Sequence, residues 1–434
     1  MTVSPLVAFA GLVTIGLLAM RLPRLRWPHV PSLDLLLAAG LPPVLVGVLL
    51  GPGIDLLNRS ALGALTPVTA VCIGWIGAAL GARFEARYVR RIPRAAWLLA
   101  SGSAAAAFVV VALAVWLLTR LVPPLAAAWA PRLPAILTLA AVAAVAGPGA
   151  LTLTARISDV PPRATRAFSL VATLEAAIGA VAVTVPLALH RASAAGGPVL
   201  GWLWWLVLAL ASGALVGTVF LAIARLLDER GTLGLAFVAA MVLGTGLGYA
   251  AGLSPFVVCA VATALIVNRS PHRQAVRRVL AGWERLIYAL VLVATGALLM
   301  VPTAWILVAA ALVAALRAAA QWATVRFGRV PLHLTAVPPD AGLGTVTQGG
   351  VAIALGLSFL LTYGAQGLAS GDATLTTIVL GVGVTQLAAL PLMNRALAGE
   401  RSRQPAMRAA ATPLTPAAAA PELSANAPVE WGGG

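Results

Sequence analysis

The sequence predicts an all-α polytopic membrane protein of about thirteen transmembrane helices, and three observations lead there. Of 434 residues, 61% are hydrophobic and 10% are charged, and the mean hydropathy of +0.97 lies far outside the balance of a soluble domain. Apolar runs recur along most of the chain, each close to the roughly 20 residues that carry a helix across about 30 Å of hydrocarbon. Arginine, the only basic residue type apart from histidine, is confined almost entirely to the short segments between those runs. A membrane β-barrel is excluded, because its strands are about ten residues long and alternate in polarity.

The spans run approximately over 5–20, 33–50, 64–82, 95–118, 134–156, 168–189, 201–227, 232–249, 254–267, 285–300, 303–324, 344–363 and 374–394. The first apolar run, Leu6 to Met20, has the length of a signal-peptide core. It lacks a basic start and its arginines follow it, so it reads as a retained first helix. Segments after odd-numbered spans, with the C-terminal tail, hold 24 of the 29 arginines; those after even-numbered spans hold 4, and Arg317 is the last. A missed or invented helix would scramble that asymmetry. By the positive-inside rule the N-terminus is expected outside and the C-terminus in the cytoplasm. After Arg403 the chain is rich in alanine and proline, so 396–434 is expected to be a disordered cytoplasmic tail.

The formal charge of +16 does not point to nucleic acid, since the arginines sit where membrane topology places them. Cys72 and Cys259 fall within spans and suggest neither a disulfide framework nor a thiolate metal site. His29, His190, His272 and His333 lie in loops or at span ends without ligand spacing, so no metal, no cofactor and no enzymatic constellation is expected. Trp97, Trp116, Trp202, Trp204 and Trp205 lie at span ends and read as interface anchors. Gly244-Thr245-Gly246-Leu247-Gly248 resembles a nucleotide loop only superficially; without a preceding strand it reads as helix packing.

Two spans carry helix breakers in their interiors. The fifth places Gly147-Pro148-Gly149 at mid-membrane, and the twelfth carries Gln348-Gly349-Gly350 near its start. Pro148 removes a backbone donor and flanking glycines let the chain unwind, which frees carbonyls and amides. Such backbone is tolerated at depth only where it lines a cavity or is buried in protein. With the seventh span as a linker, spans two to six and nine to thirteen relate as repeats of opposite orientation. Interrupted helices at corresponding positions of two halves point to the binding site of a secondary transporter.

Glu175 and Arg317 are the acidic and the basic side chain placed deep within spans, the sixth and the eleventh. A charge there costs roughly 2.5–3.5 kcal/mol on insertion scales, so both are expected to face a partner or a pathway. Their depths are compatible with a direct ion pair. A structural salt bridge and a proton-carrying role are both open on these grounds.

Several stretches resemble the monovalent cation:proton antiporter superfamily, whose members carry a sodium/proton exchanger domain. They are Gly47-Val48-Leu49-Leu50-Gly51-Pro52, Ile73-Gly74-Trp75-Ile76-Gly77 through Gly81-Ala82-Arg83-Phe84-Glu85, and Gly252-Leu253-Ser254-Pro255-Phe256. Glu284-Arg285-Leu286-Ile287-Tyr288, Gly296-Ala297-Leu298-Leu299 and Gln348-Gly349-Gly350-Val351-Ala352 follow in the same order, so the resemblance covers residues 33 to 395. It implies an exchanger-like domain over 1–395: core helices near 95–189 and 303–394, dimerisation helices near 5–82 and 232–300, and a linker at 201–227. It further implies two crossing broken helices, alternating access, a homodimer in a bacterial plasma membrane, and an arginine at Arg317 of the kind electroneutral members carry. The sequence departs from the family at the site itself. The paired acidic residues of the sixth helix are replaced by Glu175-Ala176 or by Gly179-Ala180, depending on the alignment, and the crossing helix reads Ala146-Gly147-Pro148 without an oxygen ligand.

The function expected is antiport of a proton against a monovalent cation or other small solute, with Glu175 carrying the proton and Arg317 as its cationic partner. Two alternatives remain open: a non-exchanging scaffold or sensor, and a proton-coupled transporter of an anion held by Arg317.

Overall fold

The computed structural model describes residues 41–401, apart from short breaks at 55–56, 58, 91, 159, 161, 195–200, 227–229, 333–336 and 365–369, together with the isolated Gly11 and Thr14. The remainder of the span expected at 5–20, the start of the second span and the tail beyond 401 lie outside the described residues, as do His29 and His333. Residues Met1–Leu397 form one compact unit and Ala398–Gly434 a second.

Every regular element among the described residues is helical. In order they are α1 (Leu41–Val48), α2 (Arg59–Ala64), α3 (Thr66–Gly81), α4 (Ala86–Val89), α5 (Arg94–Leu121), α6 (Pro123–Ala128), α7 (Arg132–Ala143), α8 (Pro148–Ile157) and α9 (Pro162–Ala194). Then come α10 (Gly201–Ala224), α11 (Arg230–Ala251), α12 (Pro255–Arg269), α13 (Arg273–Ala297), α14 (Trp305–Gly328), α15 (Gly349–Gly364), α16 (Ser370–Leu387) and α17 (Ala389–Arg401). A π turn, Leu49–Gly53, extends α1 around Pro52, and a 3₁₀ turn, Ala341–Thr345, precedes α15. Helices α3, α6, α8 and α12 each open with proline in the first turn, where the missing N–H has no intrahelical partner to lose.

Among the described residues, six helices are long and apolar enough to cross a membrane, in or along α5, α9, α10, α11, α13 and α14. Two bent pairs raise the number to eight when each is taken as one span: α7 with α8 at 42°, and α16 with the start of α17 at 48°. The second bend interrupts the span expected at 374–394. Pro391 cannot donate to the carbonyl of Leu387, the last residue of α16, and its ring crowds that group. The span expected at 285–300 begins earlier, at Arg273. Its first half is amphipathic, with Val276, Leu280 and Ile287 buried and Arg277, Arg278, Glu284 and Arg285 exposed. A hydropathy average hides such a stretch, although its helical period is visible.

Small residues set how closely the helices approach. Along α3, a Cβ on Gly77 or Gly81 would overlap the carbonyls of Phe256 or Ala260 on α12, so those backbones touch. Gly47 of α1 and Gly296 of α13 meet reciprocally in the same way. Between helices in lipid such contact is a main source of association, because apolar side chains gain little by leaving lipid for protein. Helix α3 packs on α12 and α13, and α10 on α12; α5, α7, α9, α14 and α16 pack on one another, with α15 against α16 and α3. At the end of α3, the buried Glu85 accepts bonds from Arg273 at 3.1 Å and Arg277 at 2.7 Å. Asn268 of α12 bridges the same turn, accepting from the Ala86 N–H and donating to the Phe84 carbonyl.

Candidate functional site

The two predicted breaks meet. Helix α7 stops at Ala143, Gly147 is extended at φ −98° and ψ 96°, and α8 starts at Pro148. In the other broken segment the 3₁₀ turn ends at Thr345 and α15 starts at Gly349, whose φ of +63° suits glycine. The Gly147 N–H donates to the Thr347 carbonyl at 2.7 Å, and the Gln348 side-chain amide donates to the Val142 carbonyl at 2.9 Å. A Cβ on Gly147 would overlap the Gln348 carbonyl, and one on Gly350 would overlap the Tyr288 ring. Gly149 faces open space, so its packing does not demand glycine.

Arg317, on α14, is completely buried at this crossing. Its Nε donates to the Ala143 carbonyl at 2.7 Å and its Nη2 to the Val145 carbonyl at 2.8 Å, while Nη1 donates to the Val346 carbonyl. The guanidinium therefore joins both broken segments. Its planar fork supplies donors to carbonyls that the missing helical turns leave free. The end of α7 also carries the negative pole of that half-helix, which favours a cation there.

Glu175, on α9, is likewise completely buried. Its Oε2 accepts a hydrogen bond from Gln321 Nε2 at 3.1 Å, and its Oε1 has no hydrogen-bond partner. Arg317 lies within electrostatic reach of the carboxyl but does not bond to it. The Ser103 hydroxyl of α5 lies beside the carboxyl, close enough to interact yet outside hydrogen-bonding geometry. The direct Glu175–Arg317 pair that the depths allowed is thus replaced by two separate assignments. Freed backbone carbonyls take the guanidinium, and a neighbouring amide takes the carboxylate.

Gln321 is the residue that the sequence reading missed. It follows Arg317 by one helical turn, so both side chains leave the same face of α14. A buried glutamine four residues after a buried arginine was a readable signal. Ser103 carried none, being one small residue in an alanine-rich helix. Elsewhere, Cys72 and Cys259 are free and buried, and among the described residues no cluster of three histidine, cysteine, aspartate or glutamate side chains forms a metal site. Trp116 and Trp204 are exposed, and Trp97 and Trp205 are half-buried.

These features define an integral membrane protein built around a crossed pair of broken helices, with one buried cation and one buried carboxyl at the crossing. The fold is similar to that of the sodium proton antiporter MjNhaP1 from Methanocaldococcus jannaschii. Its structure at pH 8 superposes with a TM-score of 0.65 at 14% identity, covering 91% of this chain and 97% of that one. An electron-microscopy structure of the same antiporter gives a TM-score of 0.59 at 16% identity, covering 93% and 98%. No family model matches the sequence, and no curated protein does. The likeness at this identity is one of fold.

Proposed function

We propose that the chain is a secondary transporter that exchanges protons against a small cation by alternating access. The observation that carries this reading is the completely buried Glu175 carboxyl with a vacant acceptor oxygen, set beside crossed broken helices. A buried carboxyl that binds either a proton or a cation, and never neither, couples the two fluxes. Similarity to a sodium proton antiporter supports the same assignment.

In this mechanism Glu175 takes up and releases the proton. Arg317 does not travel with it: bonded to three backbone carbonyls, it keeps the crossing closed and places a fixed positive charge near the carboxyl. That charge opposes the accumulation of a second cation at the site. Helices α5, α7–α9 and α14–α17 form the moving core in this scheme, and α1, α3 and α11–α13 the scaffold, in a homodimer of thirteen-helix subunits with an external N-terminus in a bacterial plasma membrane.

The test is dissipation of an imposed pH gradient in proteoliposomes by sodium, lithium, potassium or an organic cation, measured above protein-free vesicles. Loss of the signal in Glu175→Gln supports the reading, and no signal with any of these cations refutes it. The scaffold alternative draws on the same arginine, because a guanidinium fully engaged by backbone is a structural clamp. It predicts no exchange at all. The anion alternative requires Arg317 to release at least one of the backbone carbonyls it bonds, and flux of labelled organic anions tests it.

A further inference from the structure

Glu175 and Gln321 share one hydrogen bond, and each keeps one oxygen without a partner. Gln321 Nε2 donates to Glu175 Oε2 at 3.1 Å, while Glu175 Oε1 and Gln321 Oε1 are buried with no hydrogen-bond partner. An ionised carboxylate and an amide oxygen only accept, so as an ionised pair these two atoms cannot satisfy each other. Buried acceptors without donors are unfavourable. Neither oxygen has surface that a water molecule can touch. The donor that needs no cavity is a proton.

One proton on Oε1 satisfies both atoms. A neutral carboxyl gains an O–H donor and keeps its acceptor, so Oε1 donates to Gln321 Oε1 while Oε2 still accepts from Nε2. The result is a closed acid–amide pair with two antiparallel hydrogen bonds between two flat groups. The terminal torsions of glutamate and glutamine are broad, so the two groups can align without changing rotamer at the stem. Among the described residues, Arg317 of α14 is the charged group within electrostatic reach of the carboxyl, and it directs Nε, Nη1 and Nη2 to backbone carbonyls instead. Ser103 of α5 is the carboxyl's other neighbour. A bond from its hydroxyl would relieve one carboxyl oxygen and leave Gln321 Oε1 as it is.

Resting on the proposed exchange reading, we infer that this conformation is the proton-loaded one, with Glu175 a neutral acid doubly hydrogen-bonded to Gln321. Gln321 is then a positioning residue, which holds the carboxyl plane and the proton on it. Releasing the proton breaks the O–H···O bond and orphans both oxygens again. Release therefore requires a conformation in which water or the exchanged cation reaches Oε1, and the cation does not bind in the arrangement described here.

The test is infrared difference spectroscopy of the full chain in liposomes at neutral pH, in the carboxylic-acid carbonyl region, where ionised carboxylates do not absorb. Wild type is expected to show an acid carbonyl band that Glu175→Gln removes. Gln321→Leu should shift this band to higher wavenumber, because the acid carbonyl no longer accepts an N–H, and Ser103→Ala should leave it in place. Where Gln321→Leu does not fold, Gln321→Met, closer in shape, carries the test. No band lost in Glu175→Gln, a band that Gln321→Leu leaves unmoved, or one that only Ser103→Ala moves overturns the inference. The spectrum needs no cargo, so the two readings separate. Cation exchange without the acid band means that exchange stands and the pair falls; the band without exchange by any cation means that the pair stands and exchange falls.

Discussion

Replacing Arg317 by leucine tests whether the guanidinium holds the two broken helices together. The side chain makes three bonds, at 2.7 and 2.8 Å to the Ala143 and Val145 carbonyls and a third to that of Val346. Hydrogen bonds involving a charged partner contribute about 1.5–3 kcal/mol each, so simple addition gives roughly 4.5–9 kcal/mol. The three share one cluster and do not add independently, and removing the arginine also removes the cost of burying a charge. Loss of one partner from a buried charged arrangement costs about 3–5 kcal/mol, and that is the destabilisation expected for Arg317→Leu. Arg317→Lys keeps the charge but not the planar fork, so it should recover only part of the loss. Equilibrium unfolding by denaturant in detergent micelles supplies the number. Helical circular dichroism follows the fold, and a thiol-reactive dye follows exposure of Cys72 and Cys259, which are buried in α3 and α12. A loss under about 1 kcal/mol for leucine, or full recovery by lysine, would refute the view that these three bonds close the crossing.

Gly147→Ala should destabilise by about 1–3 kcal/mol, because the new methyl overlaps the Gln348 carbonyl, whereas Gly149→Ala, facing open space, should stay within about 0.5 kcal/mol of the parent; both are read by the same unfolding measurement. Glu175→Gln should abolish proton-coupled flux in proteoliposomes while lowering stability by less than about 1 kcal/mol, since the new amide oxygen still accepts from Gln321. Gly81→Leu should force α3 away from α12 and reduce the yield of folded protein on size exclusion, where Gly63→Ala, with no atom near the added group, should not. Glu85→Gln weakens two ion pairs to partly exposed arginines, so the expected loss is about 0.2–1 kcal/mol per pair, shrinking further at high salt.

Particular residues show how far the site was legible. Gly147-Pro148 and Gln348-Gly349 marked both breaks, because a missing donor and a permissive backbone act locally wherever they occur. That the breaks touch, through the Gly147 N–H and the Thr347 carbonyl, depends on how α7 and α15 pack. Glu175 and Arg317 stood out through the cost of charge in an apolar span. Their separation into a carboxyl–amide contact and a guanidinium–carbonyl cluster did not, since hydropathy carries no information about which buried acceptor a donor will reach. Ser103 became part of the site only by position.

Composition, apolar periodicity and arginine placement were enough to establish a helical membrane protein with two internal breaks, because each of those properties acts over one helix or one turn. Tertiary packing alone decided which carbonyls Arg317 satisfies and that Glu175 meets Gln321. It also left one carboxyl oxygen of Glu175 without a hydrogen-bond partner. Hydrogen bonds are decided by positions within a few tenths of an ångström between helices far apart in the chain, and no local pattern encodes that geometry.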